Sequence, residues 1–193
     1  MEPFLFGGLR FGEAAALRRG RCDLLRSRLL VAESIAEVNG EVIVGPTKTH
    51  QQGAVVLPGF VRDHLAAHLA ARPGEPDAFV FQAPGGGPLR YSNFYRRVWR
   101  PALECAGLPG SRIHSLRHTC PSLLVAQGAT VKALQAQLRH RDPALTLRVY
   151  SHLYGDEHDE LARRLDAAYG GSDVYPACTP GTVTPLPADR QAL

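Results

Sequence analysis

Asn39-Gly40, at the centre of the run IAEVNGEVIV (35–44), constrains this chain more tightly than any other feature. A two-residue Asn-Gly connection between β-branched residues selects a turn whose twist matches that of paired strands, so the run predicts a β-hairpin. Two more apolar runs, RLLVAE (28–33) before it and AVVL (54–57) after it, predict further strands. The intervening GPTKTHQQG (45–53) reads as a loop with Lys48 near its tip. Taken alone, that lysine is an ordinary solvated charge. Ahead of the strands, EAAALRR (13–19) reads as a short helix, and residues 1–8 as too short to form an element.

From Phe60 onward helical periodicity takes over. Residues 60–71 place Val61, Leu65 and Leu69 on one helical face and end before Arg72-Pro73-Gly74. DAFVF (77–81) reads as a short buried strand or extended segment, and PGGGP (84–88) as a loop. Ser92 is placed to cap a helix over 93–106 with Phe94, Val98 and Leu103 inward. Further helices are expected at 115–127, 130–139 and 157–169. After Gly170 the composition turns to Pro, Thr and Gly, which predicts a disordered tail over 171–193. The fold class is therefore α+β and mostly helical, with a small antiparallel three-stranded sheet near the N-terminus and one domain over 1–170.

Charge and cysteines narrow the partners. A chain of 193 residues can bury one proper core. Its net charge of +4 and pI of about 9.1 lean toward an acidic partner such as nucleic acid. Lysine occurs only at Lys48 and Lys132, so arginine supplies the other twenty of the 22 basic residues, an excess that a GC-rich genome produces by itself. Cys22, Cys105, Cys120 and Cys178 lie far apart without CxxC spacing, which suggests neither a zinc site nor a disulfide framework. No apolar run approaches the roughly 18 residues a membrane span needs. The expectation is a soluble, cytoplasmic protein with reduced thiols.

The C-terminal third holds side chains suited to attack on a phosphodiester. They are His114 and Arg117 in HSLRHT (114–119), His140 in LRH (138–140) and Tyr150 in TLRVYSH (146–152). Arginine offers a planar fork of donors that matches phosphate oxygens. Histidine takes or holds a proton near neutral pH, and a tyrosine hydroxyl can become a covalently bound nucleophile. Each residue alone has a plainer explanation; the set, its order and its spacing carry the weight.

With GLRFGE (8–13) and TKT (47–49) added, these segments resemble the catalytic domain of the tyrosine recombinases, the phage integrase family, from about Gly8 to Leu165. The resemblance implies site-specific cleavage and rejoining of DNA through a 3′-phosphotyrosyl intermediate. In that family the tyrosine hydroxyl attacks a scissile phosphate and frees a 5′-hydroxyl, and the 5′-hydroxyl of another strand reverses the step. The covalent link keeps the bond energy, so neither ATP nor a metal cofactor is implied. Tyr150 matches the nucleophile; Tyr154, four residues on, lacks the motif around it. Arg10 and Arg117 match the pair that grips the non-bridging oxygens. His114 matches the general base or proton relay, and His140 the His-or-Trp position beside the phosphate. Lys48 matches the hairpin lysine that protonates the leaving 5′-oxygen, which reverses its reading as a solvated charge. Double-stranded DNA is the implied partner, held by a homotetramer, with no membrane association.

Some positions depart from the family pattern. Members usually carry an N-terminal DNA-binding domain, and only nine residues precede Arg10. The expectation is a chain that lacks half of the DNA clamp, holds Arg10 poorly and is weakly active or inactive. Ser115 stands where Asp is common and is expected to cap its helix equally well. Pro121 stands where a small helix former is usual, and is expected to kink the helix one turn after Arg117 at a cost of roughly 3 kcal/mol. Gly53 stands where Arg is often found. The competing readings are a non-catalytic DNA-binding remnant and a topoisomerase-like relaxing activity. The helix at 157–169 either docks on a neighbouring subunit or packs on its own domain.

Overall fold

The computed structural model describes residues 2–47, 52–140, 142–150 and 157–169. Met1–Tyr154 form one compact unit and Gly155–Leu193 a second. Lys48, Tyr154 and the expected tail over 171–193 lie outside the described residues. Among the described residues no helix is long and apolar enough to cross a membrane.

The hairpin forms where Asn39-Gly40 places it. Strands β3 (Glu33–Val38) and β4 (Glu41–Pro46) pair antiparallel, with Val38 opposite Glu41. Asn39 and Gly40 take φ of 51° and 82°, the positive pair that a type I′ turn requires. This hairpin is a two-stranded sheet of its own. The small three-stranded antiparallel sheet is built instead from β1 (Cys22–Asp23), β2 (Arg28–Val31) and β5 (Gly53–Val56), in the order β1-β2-β5. The expected strand over 28–33 thus divides at Ala32 between two sheets. Leu29 and Val31 alternate inward on β2, and Leu29 pairs with Val55, so one sheet face is apolar.

Helices cover that face. Helix α1 (Glu2–Leu5) is one turn where no element was expected, and it packs Phe4 into the core. Helix α2 runs over Phe11–Ala15 rather than 13–19. Beyond it the backbone extends to bond residues 78–80: the Val80 N–H donates to the Leu17 carbonyl at 2.8 Å, and the Arg19 N–H to the Ala78 carbonyl at 3.0 Å. Helix α3 (Gly59–Ala71) buries Val61, Leu65 and Leu69, the face its periodicity predicts.

The next helix starts two residues before the expected 93, and Ser92 is not its cap. Arg90 occupies that position, and Ser92 gives its N–H and hydroxyl to Glu37 on β3, at 3.2 and 2.8 Å. The helix also widens midway. Pro101 has no N–H for the Arg97 carbonyl, and its ring would strike that carbonyl. The Arg100 N–H therefore reaches back five residues to the Tyr95 carbonyl. Tyr95–Trp99 become one π turn between α4 (Tyr91–Phe94) and α5 (Arg100–Cys105). The added residue shifts the helical phase. Trp99 turns inward and donates to the Ser111 carbonyl at 3.0 Å, while Val98, expected inside, is exposed.

Helix α6 (Ile113–Ala126) begins two residues earlier than expected, with Arg112 as N-cap and Ser115 inside the first turn. It continues through the buried Pro121 to Ala126, so the proline does not end it. Helix α7 (Val131–Leu138) is capped by the Thr130 hydroxyl, which accepts from the Ala133 N–H at 3.2 Å. Helix α8 (Pro143–Tyr150) was not among the expected elements. Its start is nonetheless regular: Pro at the first helical position, and an Asp142 carboxylate accepting from the Ala144 N–H at 2.8 Å. In the second unit, helix α9 (Glu157–Tyr169) matches the expected range.

Because α8 carries Tyr150, its cap bears on the candidate site. Asp142→Ala is expected to lower stability by about 0.5–2 kcal/mol. A urea midpoint that falls with unchanged slope would show it.

Candidate active site

Arg10 is the N-cap of α2, in extended backbone, and Glu13 lies three residues on at the end of the first turn. The Glu13 carboxylate accepts from the Arg10 backbone N–H at 2.7 Å and from Arg10 Nη1 at 2.8 Å. Arg10, expected to be poorly held, is thus tied down at both backbone and side chain while its guanidinium stays partly exposed. Glu13 itself is 2 % exposed. It also accepts from Arg139 Nη2 and has Arg117 Nη1 at 3.9 Å. Burial pushes this carboxyl up. The charges of Arg139, Arg10 and Arg117, together with the Arg10 N–H, pull it down further, so it ends below its ordinary value.

Arg117 projects from α6 into the interior, 4 % exposed. Nη1 donates to the Gly8 carbonyl and Nη2 to the Leu138 carbonyl at 2.8 Å. Gly8 has φ of 61°, and a Cβ there would meet Leu138 Cδ2 at 2.9 Å, so glycine lets this turn close against α7. Burial and the neighbouring Arg10 bring Arg117 down to about 10, still protonated at neutral pH.

Arg139 was not singled out from the sequence. It ends α7 in the left-handed region, φ 54°, where glycine is usual. Its side chain, 7 % exposed, crosses Gly53 on β5 to reach Glu13. A Cβ at Gly53 would lie 2.6 Å from Arg139 Cδ. The missing side chain at position 53 is therefore the space through which Arg139 enters. Arg139 Nη1 is buried with no hydrogen-bond partner among the described residues.

Tyr150, 6 % exposed, closes the site from α8. Its hydroxyl lies 3.5 Å from Nδ1 of His118, one residue after Arg117. His140 stacks on the Tyr150 ring at 6.4 Å and 12°, while its Nδ1 meets the Thr146 hydroxyl at 2.9 Å. Burial, then the charge of Arg117, drives His140 down to about 4, so it is neutral at physiological pH. Burial raises the Tyr150 hydroxyl and Arg117 pulls it partly back, leaving it above its ordinary value. His114 sits one helical turn before His118, edge-on to it with ring centroids 4.6 Å apart. Burial, with His118 and Arg117 adding to it, lowers His114.

The structure thus gathers Arg10 and Arg117 around Glu13, and Tyr150 with His140 and His118 beside Arg117, while Lys48 lies outside the described residues. Among the described residues no cluster of His, Cys, Asp and Glu has the makings of a metal site. Sequence reasoning missed Glu13, Arg139 and His118. Glu13 was signalled by its i+3 spacing from Arg10, and Arg139 by the glycine at 53.

The Arg139 path gives a direct test. Gly53→Ala is expected to cost about 1–3 kcal/mol by overpacking. The same change in an Arg139→Ala chain is expected to cost almost nothing, as read by chemical denaturation of the four proteins.

Comparison with known proteins identifies the family and the fold. The sequence profile of the phage integrase family matches residues 2–157. The integrase of Mycobacterium phage L5 is 32% identical over 146 residues, covering 72% of this chain and 39% of that protein. The tyrosine recombinase XerC of Methylobacterium nodulans is 30% identical over 171 residues, covering 86% of this chain and 47% of that protein. The chain spans less than half the length of these relatives. Among solved structures, the Tn1549 transposon integrase in complex with transposon right end DNA superposes with a TM-score of 0.71 at 21% identity, covering 84% of this chain and 56% of that one. The catalytic domain of bacteriophage HP1 integrase gives 0.55 at 20% identity, covering 88% and 82%. The chain belongs to the phage integrase family of tyrosine recombinases, and its fold is that of their catalytic domain.

Proposed function

We propose that this chain is the catalytic part of a site-specific DNA recombinase, which cleaves and rejoins double-stranded DNA through a phosphotyrosyl link at Tyr150. The observation that carries the reading is one constellation: two arginines joined through Glu13, beside a buried tyrosine hydroxyl flanked by histidines.

The chemistry follows from the groups present. Attack on a phosphodiester builds negative charge on the non-bridging oxygens, and preorganised cations stabilise it. Arg10, partly exposed, meets the phosphate directly. Two donors of Arg117 are committed to carbonyls, which fixes its fork; its remaining N–H groups serve the phosphate. Neutral His140 packs the Tyr150 ring in place, and His114 relays protons at the exposed rim. Lys48 protonates the leaving 5′-oxygen. The link at Tyr150 keeps the energy of the broken bond, so rejoining needs no nucleotide. Cleavage of two duplexes in concert calls for several copies on DNA, and we assign a tetramer working in the cytoplasm.

The test uses nicked duplexes of randomised sequence near the nick, which trap a covalent adduct that survives detergent. Wild-type chain is expected to form the adduct and Tyr150→Phe none. Arg10→Ala is expected to slow adduct formation about 100- to 1,000-fold. If wild type and Tyr150→Phe both bind DNA and neither forms an adduct, the chain is a binding remnant and the reading fails.

A further inference from the structure

We propose that His118 is the proton acceptor for the Tyr150 hydroxyl, an inference that rests on the phosphotyrosyl reading above. His118 lies in the HSLRHT segment, but that reading leaves it without a role. The geometry supplies one. His118 Nδ1 is 3.5 Å from Tyr150 Oη, a few tenths of an ångström outside ordinary hydrogen-bond reach. Catalytic hydrogen bonds are often this long before substrate binds.

The other candidates are placed for different work. His140 lies nearly parallel to the tyrosine ring, so it meets the ring's face, and its Nδ1 is engaged by Thr146. Cys120 is a buried thiol pushed up to about 11, which is no acceptor at neutral pH. His114 touches the edge of His118, and both rings are exposed. That places His118 between the buried hydroxyl and an outlet to solvent, with His114 beside the path. The need for an acceptor is real, because burial holds the phenol above its ordinary value despite Arg117.

The step balances without any added reagent. As the Tyr150 Oη–phosphorus bond forms, the phenolic proton passes to His118 Nδ1, whose Nε2 carries the other proton. The bond from phosphorus to the 5′-oxygen breaks, and that oxygen takes a proton from Lys48. In rejoining, the 5′-hydroxyl attacks as its proton passes back to the Lys48 amine, and the His118 imidazolium returns its proton to the departing Tyr150 phenolate. His118 therefore acts on both half-reactions.

The experiment uses the full chain and the nicked-duplex pool, with Tyr150→Phe as blank. His118→Gln is expected to slow single-turnover adduct formation about 100-fold or more, with DNA retention in a gel shift unchanged. Added imidazole is expected to restore part of the rate to His118→Gly and none to Tyr150→Phe. Wild-type rates in His118→Gln would overturn the proposal. So would a slow His118→Gly that still binds DNA but does not respond to imidazole, since that marks a purely structural role. If wild-type chain itself forms no adduct, the tyrosine reading falls and this inference falls with it; an adduct insensitive to His118 sinks the inference alone.

Discussion

One carboxylate, Glu13, meets guanidinium groups from three separate parts of the chain, and the rest of the site is arranged around that meeting. Arg10 precedes it by three residues, Arg117 comes from α6, and Arg139 arrives from the end of α7, 126 residues away. Two of these arginines are almost wholly buried. A guanidinium taken out of water without a partner is strongly unfavourable, and removing one member of a buried pair is far more damaging than the pair is stabilising. Glu13 thus makes it possible to hold three cations close together. The cluster keeps two positive charges beyond its one carboxylate, and such an excess suits a phosphate.

The helices around this cluster are fixed by carbonyls as much as by apolar packing. Gly8 and Leu138 each give a carbonyl to Arg117, so α6 is tied at one point to the segment before Arg10 and to the end of α7. The left-handed turn at Arg139 then redirects the chain, and His140 follows it immediately. His140 in turn is oriented by Thr146, which is fully buried on α8, the helix that carries Tyr150. Arginine cluster, histidine and tyrosine are therefore linked through short, mostly polar contacts. Pro121 lies within α6 without ending it, and its apolar ring is buried one turn beyond Arg117.

Local signals were readable in the sequence and distant ones were not. Asn39-Gly40 declared its hairpin because a I′ turn depends on two adjacent residues. Val61, Leu65 and Leu69 declared α3 because helical period is a local property. Val98 was misplaced because Pro101 widens the helix from α to π over Tyr95–Trp99, and period counting assumes one pitch throughout. Helix α8 was overlooked although Asp142-Pro143 is a regular helix start. The site residues Arg10, His114, Arg117, His140 and Tyr150 were named from motif order. Arg139 and His118 were not, since one is revealed by the space over Gly53 and the other by a hydroxyl 32 residues away. Lys48 lies outside the described residues.

Glu13 holds the arginines in place. Equilibrium unfolding of Glu13→Gln at neutral pH tests this most directly. A loss of about 3–5 kcal/mol is expected, because buried guanidinium groups are left uncompensated, with part of that loss recovered when Arg139→Met is added to the same chain. A Glu13→Gln protein within about 1 kcal/mol of wild type, or one made no more stable by Arg139→Met, would contradict it.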